Sequence, residues 1–380
     1  MNPELISRHW HTIQGYLFPF MKEELGHPTD KHYQVIVTLE VAKIECIVEG
    51  CIGSAPVGRP QADRRAIARA FVAKAVLNLP TTRQLLDRLS VDSILRRICG
   101  WERRSELPSE SVFSRAFAEF AEQRVPERIH EALLERSRGE SLVGHISRDS
   151  TEIQAREKPA TKVQTQRPLK HKRGRPRKGE ERPSKEPSRL AQQRTMTIEA
   201  MLSHISKQCD VGTKRNSKGY CETWIGFKLH LDVADGGIPI SCILTSASVH
   251  DSQVAIPLAT LTSRRVINLY DLMDAAYDAP EIREHSKSLG HVPIIDINPR
   301  RNAALKEELA QERKRLAFVH MTTPEHVRFR ERTTAERVNS RLKDDFGGRY
   351  LRVRGHAKAL CHLMFGVLAL TADHILNLVR

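Results

Sequence analysis

Residues 156 to 194 hold five prolines and almost no large apolar side chains, so this stretch has no face to offer a hydrophobic core. It carries 14 Lys and Arg against 4 Glu, a net charge of +10 over 39 residues. Such a chain must fold on either side of the stretch, with an unfolded basic arm looping out between. Two-thirds of the whole chain's net charge of +15 sits in that arm. The remainder, within a chain of 380 residues that is 40% hydrophobic, is long enough for two or three compact domains.

The excess of positive charge favours a polyanionic partner, nucleic acid ahead of an anionic membrane. The first thirty residues lack the apolar core and small-residue cleavage site of a signal peptide. The long apolar run at residues 357 to 379 is interrupted by Lys358, His362, Asp373 and His374, so it reads as a buried terminal helix and no membrane span is expected. Seven cysteines, with no C-x-x-C pair, suit a reducing cytoplasm and offer neither a disulfide framework nor a recognisable zinc site. A cytoplasmic, nucleoid-associated protein is the expectation.

Before residue 136 the pattern is helical. An alanine-rich segment runs from Arg65 to Leu79, Thr81 and Thr82 open another through Leu89, Asp92 leads to Ile98, and Ser109 precedes Phe113, Phe117 and Phe120 at helical spacing. Arg64, Arg65, Arg69, Arg83, Arg88, Arg96 and Arg97 fall on these helices, which suits either a DNA-binding module or a solvated basic face. The pattern changes at Leu142, where residues 142 to 149 read as a strand delivering Asp149 at its tip. Residues 224 to 231 and 239 to 246 read as a hairpin closed at Asp235-Gly236-Gly237. Strands at 265 to 273 and 291 to 297 then alternate with helices at 280 to 289, 302 to 315, 331 to 345 and 355 to 379, which predicts a mixed α/β domain.

Chemistry concentrates in three places. In Arg332-x₃-Glu336-x₆-Lys343, offsets of four and eleven at about 100° per residue return all three side chains to one helical face. A carboxylate between two cations suits a metal-dependent centre that handles phosphates, although the same spacing also occurs in ordinary surface helices with i,i+4 pairs. Asp149 and Asp274 each end a predicted strand and could aim at a common centre, or could be caps and turns. Mg²⁺ takes oxygen ligands and keeps several waters, so two ions bridged by these carboxylates and a phosphate form a complete site. His250-Asp251 has no nucleophile motif beside it, and Asp251 is expected as a supporting residue near the centre. Trp224 and Lys228 suit a DNA contact or a core tryptophan with a solvated lysine.

These residues resemble the insertion-sequence transposases of the Asp-Asp-Glu class. Asp149-Ser150-Thr151 is similar to the first acidic motif, Asp274-Ala275-Ala276-Tyr277-Asp278 to the second, and Arg332 through Glu336 to Lys343 to the third, the Tyr-Arg-Glu-Lys signature, with Phe329 where that signature has tyrosine. The family commonly has glycine where Ala276 stands. The resemblance implies a ribonuclease-H-like mixed-sheet core over residues 136–380, behind an all-helical N-terminal domain at 1–135 for DNA binding or dimerisation, with the basic arm interrupting the core at about 156–215. It implies catalysis and metal binding by Asp149, Asp274 and Glu336, with Arg332, Lys343, Tyr277, Asp278 and Asp251 in support and two Mg²⁺ ions that Mn²⁺ can replace. The implied substrates are double-stranded DNA, as terminal inverted repeats and target, gripped by a homodimer. Only 62 positions separate Asp274 from Glu336, too few for the large β-domain that some relatives carry there. Within the arm, Lys172-Arg173-Gly174-Arg175-Pro176-Arg177 resembles an AT-hook, in which glycine lets the backbone lie deep in a narrow A·T-rich minor groove. A non-specific basic tether is the other reading, and a catalytically inactive, transposase-derived DNA-binding protein is the other reading of the whole chain.

Overall fold

The computed structural model describes residues 28–51, 61–138, 142–161, 187–215 and 219–378. Ahead of the first strand these residues form seven α-helices and a 3-10 turn, Arg104–Glu106: α1 (Asp30–Ala42), α2 (Ile44–Cys51), α3 (Arg64–Val76), α4 (Thr82–Val91), α5 (Ser93–Cys99), α6 (Glu110–Glu122) and α7 (Val125–Arg138). The start signals in the sequence are used as written. Thr81 accepts the Gln84 N–H, and Asp92 the Leu95 N–H, which satisfies backbone donors that a helix start leaves bare. Ser109 holds the cap position of α6 with its hydroxyl on Ser111 Oγ rather than on the helix backbone, and Phe113, Phe117 and Phe120 are buried as their spacing requires.

The second part is a six-stranded mixed sheet. Its strands are β1 (Leu142–Gln154), β2 (Asp210–Arg215), β3 (Cys221–Ala234), β4 (Ile238–Ser246), β5 (Ile267–Met273) and β6 (Val292–Ile295). β3 pairs antiparallel with β1, β2 and β4, while β1, β5 and β6 lie side by side in parallel. The β3–β4 hairpin turns at Gly236 and Gly237, with φ of 74° and 76°, a region that side chains disfavour. The Asp235 carboxylate in that turn accepts the backbone N–H groups of Gly144 and His145, tying the hairpin to the start of β1. Helix α10 (Ser252–Ser263) crosses from β4 to β5 over one face, and α11 (Pro280–Ser288) joins β5 to β6. Then come α12 (Ala303–Phe318), α13 (Pro324–Phe329), α14 (Thr333–Asp345) and α15 (His356–Asn377).

Three expectations are corrected. β1 does not stop at Asp149; pairing with β3 carries it on to Gln154, and only its pairing with β5 ends, at Ser147. The basic interruption does not extend to residue 215. Helices α8 (Arg189–Gln193) and α9 (Ile198–His204) lie against α10, with Gln193 donating to the Gln253 carbonyl and Met201 and Ile205 buried. β2 then edges the sheet, while Lys172 through Arg177 lie outside the described residues. Nor does a boundary near 135 separate two cores. The run at 357 to 379 is the one helix among the described residues long and apolar enough to cross a membrane, yet most of it is buried. As α15 it packs on α1, α3, α6 and α7 and also on β4, so the N-terminal helices and the sheet share one continuous hydrophobic core.

Candidate active site

Strand register brings the acidic residues together. β1 and β5 run parallel with Ser147 opposite Leu272, and two residues further along the same register are Asp149 and Asp274. β5 and β6 end with Met273 opposite Ile295, followed by Asp274 and Asp296. Asp274 caps a 3-10 turn, Ala275–Tyr277, its carboxylate accepting the Ala276 N–H at 2.9 Å.

Alternation along β1 sends neighbouring side chains to opposite faces. Towards α10, Arg148 forms a two-bond pair with Asp232 at 2.7 Å each, and Asp232 also accepts from Thr262 at 2.7 Å; all three are buried. Ser150 Oγ donates to Asp251 Oδ1 at 2.9 Å. Towards α14, Ser147 Oγ donates to the Glu331 carbonyl at 3.0 Å and Asn339 Nδ2 donates to Asp149 Oδ2 at 3.1 Å. The strand is thus clamped on both faces around Asp149.

Burial pushes the Asp149 carboxyl up to about 6, and the charges of Asp274 and Glu336 add to the rise against the Ser150 N–H and Arg332. Asp274 is raised as well, first by burial and then by Asp251 and Asp296. Asp251 goes the other way: burial acts to raise it, but His230, Lys228 and Ser150 hold it below the usual carboxylate range. Lys228 Nζ lies 3.0 Å from Asp251 Oδ1 and also donates to the Val249 carbonyl. A cluster of carboxylates that resist ionising together is a place where a cation lowers the free energy.

Glu336 is about half-exposed, and its Oε1 lies 2.7 Å from Arg332 Nη2. The Arg332 guanidinium lies 5.6 Å from the ring centre of Phe329, the residue at the signature's tyrosine position. Among the described residues no three His, Cys, Asp or Glu side chains are close enough to hold a metal ion as a group. Glu336 therefore acts on Asp149 as a neighbouring charge rather than as a member of a closed ligand shell.

The supporting residues divide. Asp251 is coupled to Asp274, and Tyr277 is buried with no hydrogen-bond partner for its hydroxyl among the described residues. That phenol is raised by burial and by the charges of Asp251, Asp149 and Asp274, so its oxygen lies in their field. Asp278 instead accepts from Arg283 and from the Asn298 N–H, fixing the loop after β6. Lys343 pairs with Glu152 at 2.7 Å, and Glu152 also takes Lys214. Trp224 is buried and donates to the Phe227 carbonyl, the core reading of that residue.

Sequence reasoning missed Asn339, Asp296 and Glu152, and gave Ser150 no role beyond its place in the first acidic motif. Asn339 follows Glu336 by three positions on one helix, a spacing that marks it as a neighbour. The other three emerge only from strand register. The N-terminal arginines are largely spoken for: Arg64, Arg65, Arg69, Arg83, Arg88 and Arg97 pair with Glu119, Glu49, Glu45, Glu110, Asp92 and Glu102, and Arg96 donates to the Leu89 carbonyl. These arginines are therefore held by partners within the helical region.

No curated protein and no solved structure matches the chain. Two family models do. A transposase domain (DUF772) matches residues 22–119, across the helical region. The transposase DDE domain matches residues 144–372, which is more than half of the chain and contains Asp149, Asp274 and Glu336. The chain therefore belongs to the family of transposases with a DDE domain.

Proposed function

We propose that this transposase cuts DNA at the ends of an insertion sequence and joins the freed ends to target DNA, using divalent metal ions held by Asp149, Asp274 and Glu336. The sheet order β4-β3-β1-β5-β6 is the ribonuclease-H-like core that the family implies. The observation that carries the reading is the parallel register of β1 and β5, which sets Asp149 and Asp274 side by side, where burial raises both carboxyls and the Asp274 charge adds to the rise of Asp149. Their oxygens are the donor type that Mg²⁺ prefers, and Mn²⁺ accepts the same set. Glu336 on α14 completes the set when its carboxylate leaves Arg332.

When bound, such ions activate the attacking water or 3′-hydroxyl and stabilise the leaving oxygen. The chain's own residues prepare the site. Asn339 fixes the orientation of the Asp149 carboxylate through its Oδ2. His230, Lys228 and Ser150 hold the Asp251 carboxyl below the usual carboxylate range beside Asp274. Arg332, released from Glu336, offers a guanidinium to phosphate oxygens, and the Tyr277 hydroxyl, which has no hydrogen-bond partner among the described residues, offers a buried donor. Lys343 holds Glu152, steadying the end of β1 against α14. Two protomers pair two element ends, with Lys172, Arg173, Gly174, Arg175, Pro176 and Arg177 lying along an A·T-rich minor groove.

The test is incubation of the full-length protein with duplexes carrying the inverted repeats that flank its gene, in Mg²⁺ and in Mn²⁺. Nicked 3′-hydroxyl ends followed by joint molecules are expected. Cutting without joining would make the chain a nuclease of the same fold. Binding without cutting in either metal would make it a DNA-binding relative that has lost catalysis.

A further inference from the structure

Between β6 and the helix carrying Glu336 stands an arm, α12 and α13, in which no residue is buried. At its bend Phe318, Val319 and Met321 are 86%, 60% and 61% exposed. Soluble surfaces scatter such side chains singly; three large apolar groups within four residues mark a contact surface. Just before the bend, Arg313, Lys314 and Arg315 are all exposed, and none makes an ion pair or side-chain hydrogen bond among the described residues. From Arg313 to Phe329 four cations accompany one acid, Glu325. The arm's root is joined to the candidate site: Asn298 Nδ2 donates to the Ala275 carbonyl at 3.1 Å, one residue after Asp274.

We propose that the bend of this arm is a DNA contact in which Phe318 and Met321 wedge against a base step while Arg313, Lys314 and Arg315 hold the flanking phosphates. Apolar wedges flanked by cations are how proteins unstack and kink a duplex. A second copy of the chain fits less well, because a two-fold contact through this tip would bring two sets of unneutralised cations together. The 16 residues of α12 at 1.5 Å each reach about 24 Å, or about seven base-pair steps. The wedge therefore acts within about seven base pairs of the bond that Asp149, Asp274 and Glu336 cut. It rests on the proposed function only for that location.

The experiment places 2-aminopurine singly at each of the seven positions on either side of the cleavage point in an inverted-repeat duplex. Fluorescence is read on adding full-length protein in EDTA, so that no cutting is required. Wild type should raise the signal at one or two adjacent positions, and Phe318→Ala should abolish that rise and weaken binding roughly five- to a hundredfold. Phe318→Trp should keep it. Changing Arg313, Lys314 and Arg315 together to Ala should lower the salt slope of binding by roughly 2.7. Because Phe318 is exposed, Phe318→Ala should melt at the wild-type temperature. No response from wild type at any position, or an unchanged response in Phe318→Ala, overturns the proposal. So does a loss of dimer in Phe318→Ala, seen by sedimentation without DNA, if fluorescence is unaffected. A fluorescence response from a wild type that never cuts in Mg²⁺ supports the wedge while refuting the proposed catalysis.

Discussion

Two neighbours on β1, Arg148 and Asp149, carry opposite obligations. Arg148 is enclosed with Asp232 and must stay charged to keep that aspartate compensated. Replacing it with methionine fills the space but leaves Asp232 buried without its cation, so urea unfolding of Arg148→Met should show a loss of about 3–5 kcal/mol; a loss below about 1 kcal/mol would mean the pair carries no such weight. Glu152 supplies a pH signature. Burial acts to raise it, but Lys343 and Lys214 hold it at about 2, below its ordinary 4.5. A depressed acid contributes stability that is present above its unfolded value and lost as pH falls towards the folded one. Wild type should therefore exceed Glu152→Gln by on the order of 1 kcal/mol at neutral pH, with the gap closing between 4.5 and about 2 in denaturation series. At this scale the acidic residues could be proposed from the sequence because their types and spacing suit the chemistry. Their partners were not: Ser150 and Asp251 are 101 positions apart, and Asn339 and Asp149 are 190.

Among elements, α15 connects the most. Phe365 stacks on Phe71 with ring centres 5.6 Å apart, so one helix near the C-terminus closes the core of the N-terminal helices. Phe365→Ala should cost about 3–5 kcal/mol and shift one cooperative transition, followed alike by far-ultraviolet dichroism and tryptophan fluorescence. Two transitions, with only one displaced, would restore a boundary near residue 135. Most helix starts and the β3–β4 hairpin could be read from Thr81, Asp92 and Asp235-Gly236-Gly237, because caps and turns are local. The extent of β1 could not, because its second half exists only through pairing with β3. Helices α8 and α9 were hidden by basic, proline-bearing surroundings; what orders them is burial of Met201 and Ile205 beside α10.

For the molecule as a whole, a helical region and a ribonuclease-H-like sheet share one core, and the sheet's parallel half brings Asp149 and Asp274 together. Glu336 stands on α14, tied to Arg332, and adds its charge to the field at Asp149. The account stands on these three carboxylates acting as one metal-dependent centre. The direct measurement is Mn²⁺ binding by electron paramagnetic resonance alongside Mg²⁺-dependent cleavage of an inverted-repeat duplex, comparing wild type with Asp149→Ala, Asp274→Ala and Glu336→Ala. The prediction is that each variant binds the duplex as wild type does, loses Mn²⁺ affinity and cuts at least a thousandfold more slowly, about 4 kcal/mol of lost transition-state stabilisation. A variant that retains wild-type Mn²⁺ affinity and cleavage would contradict the assignment.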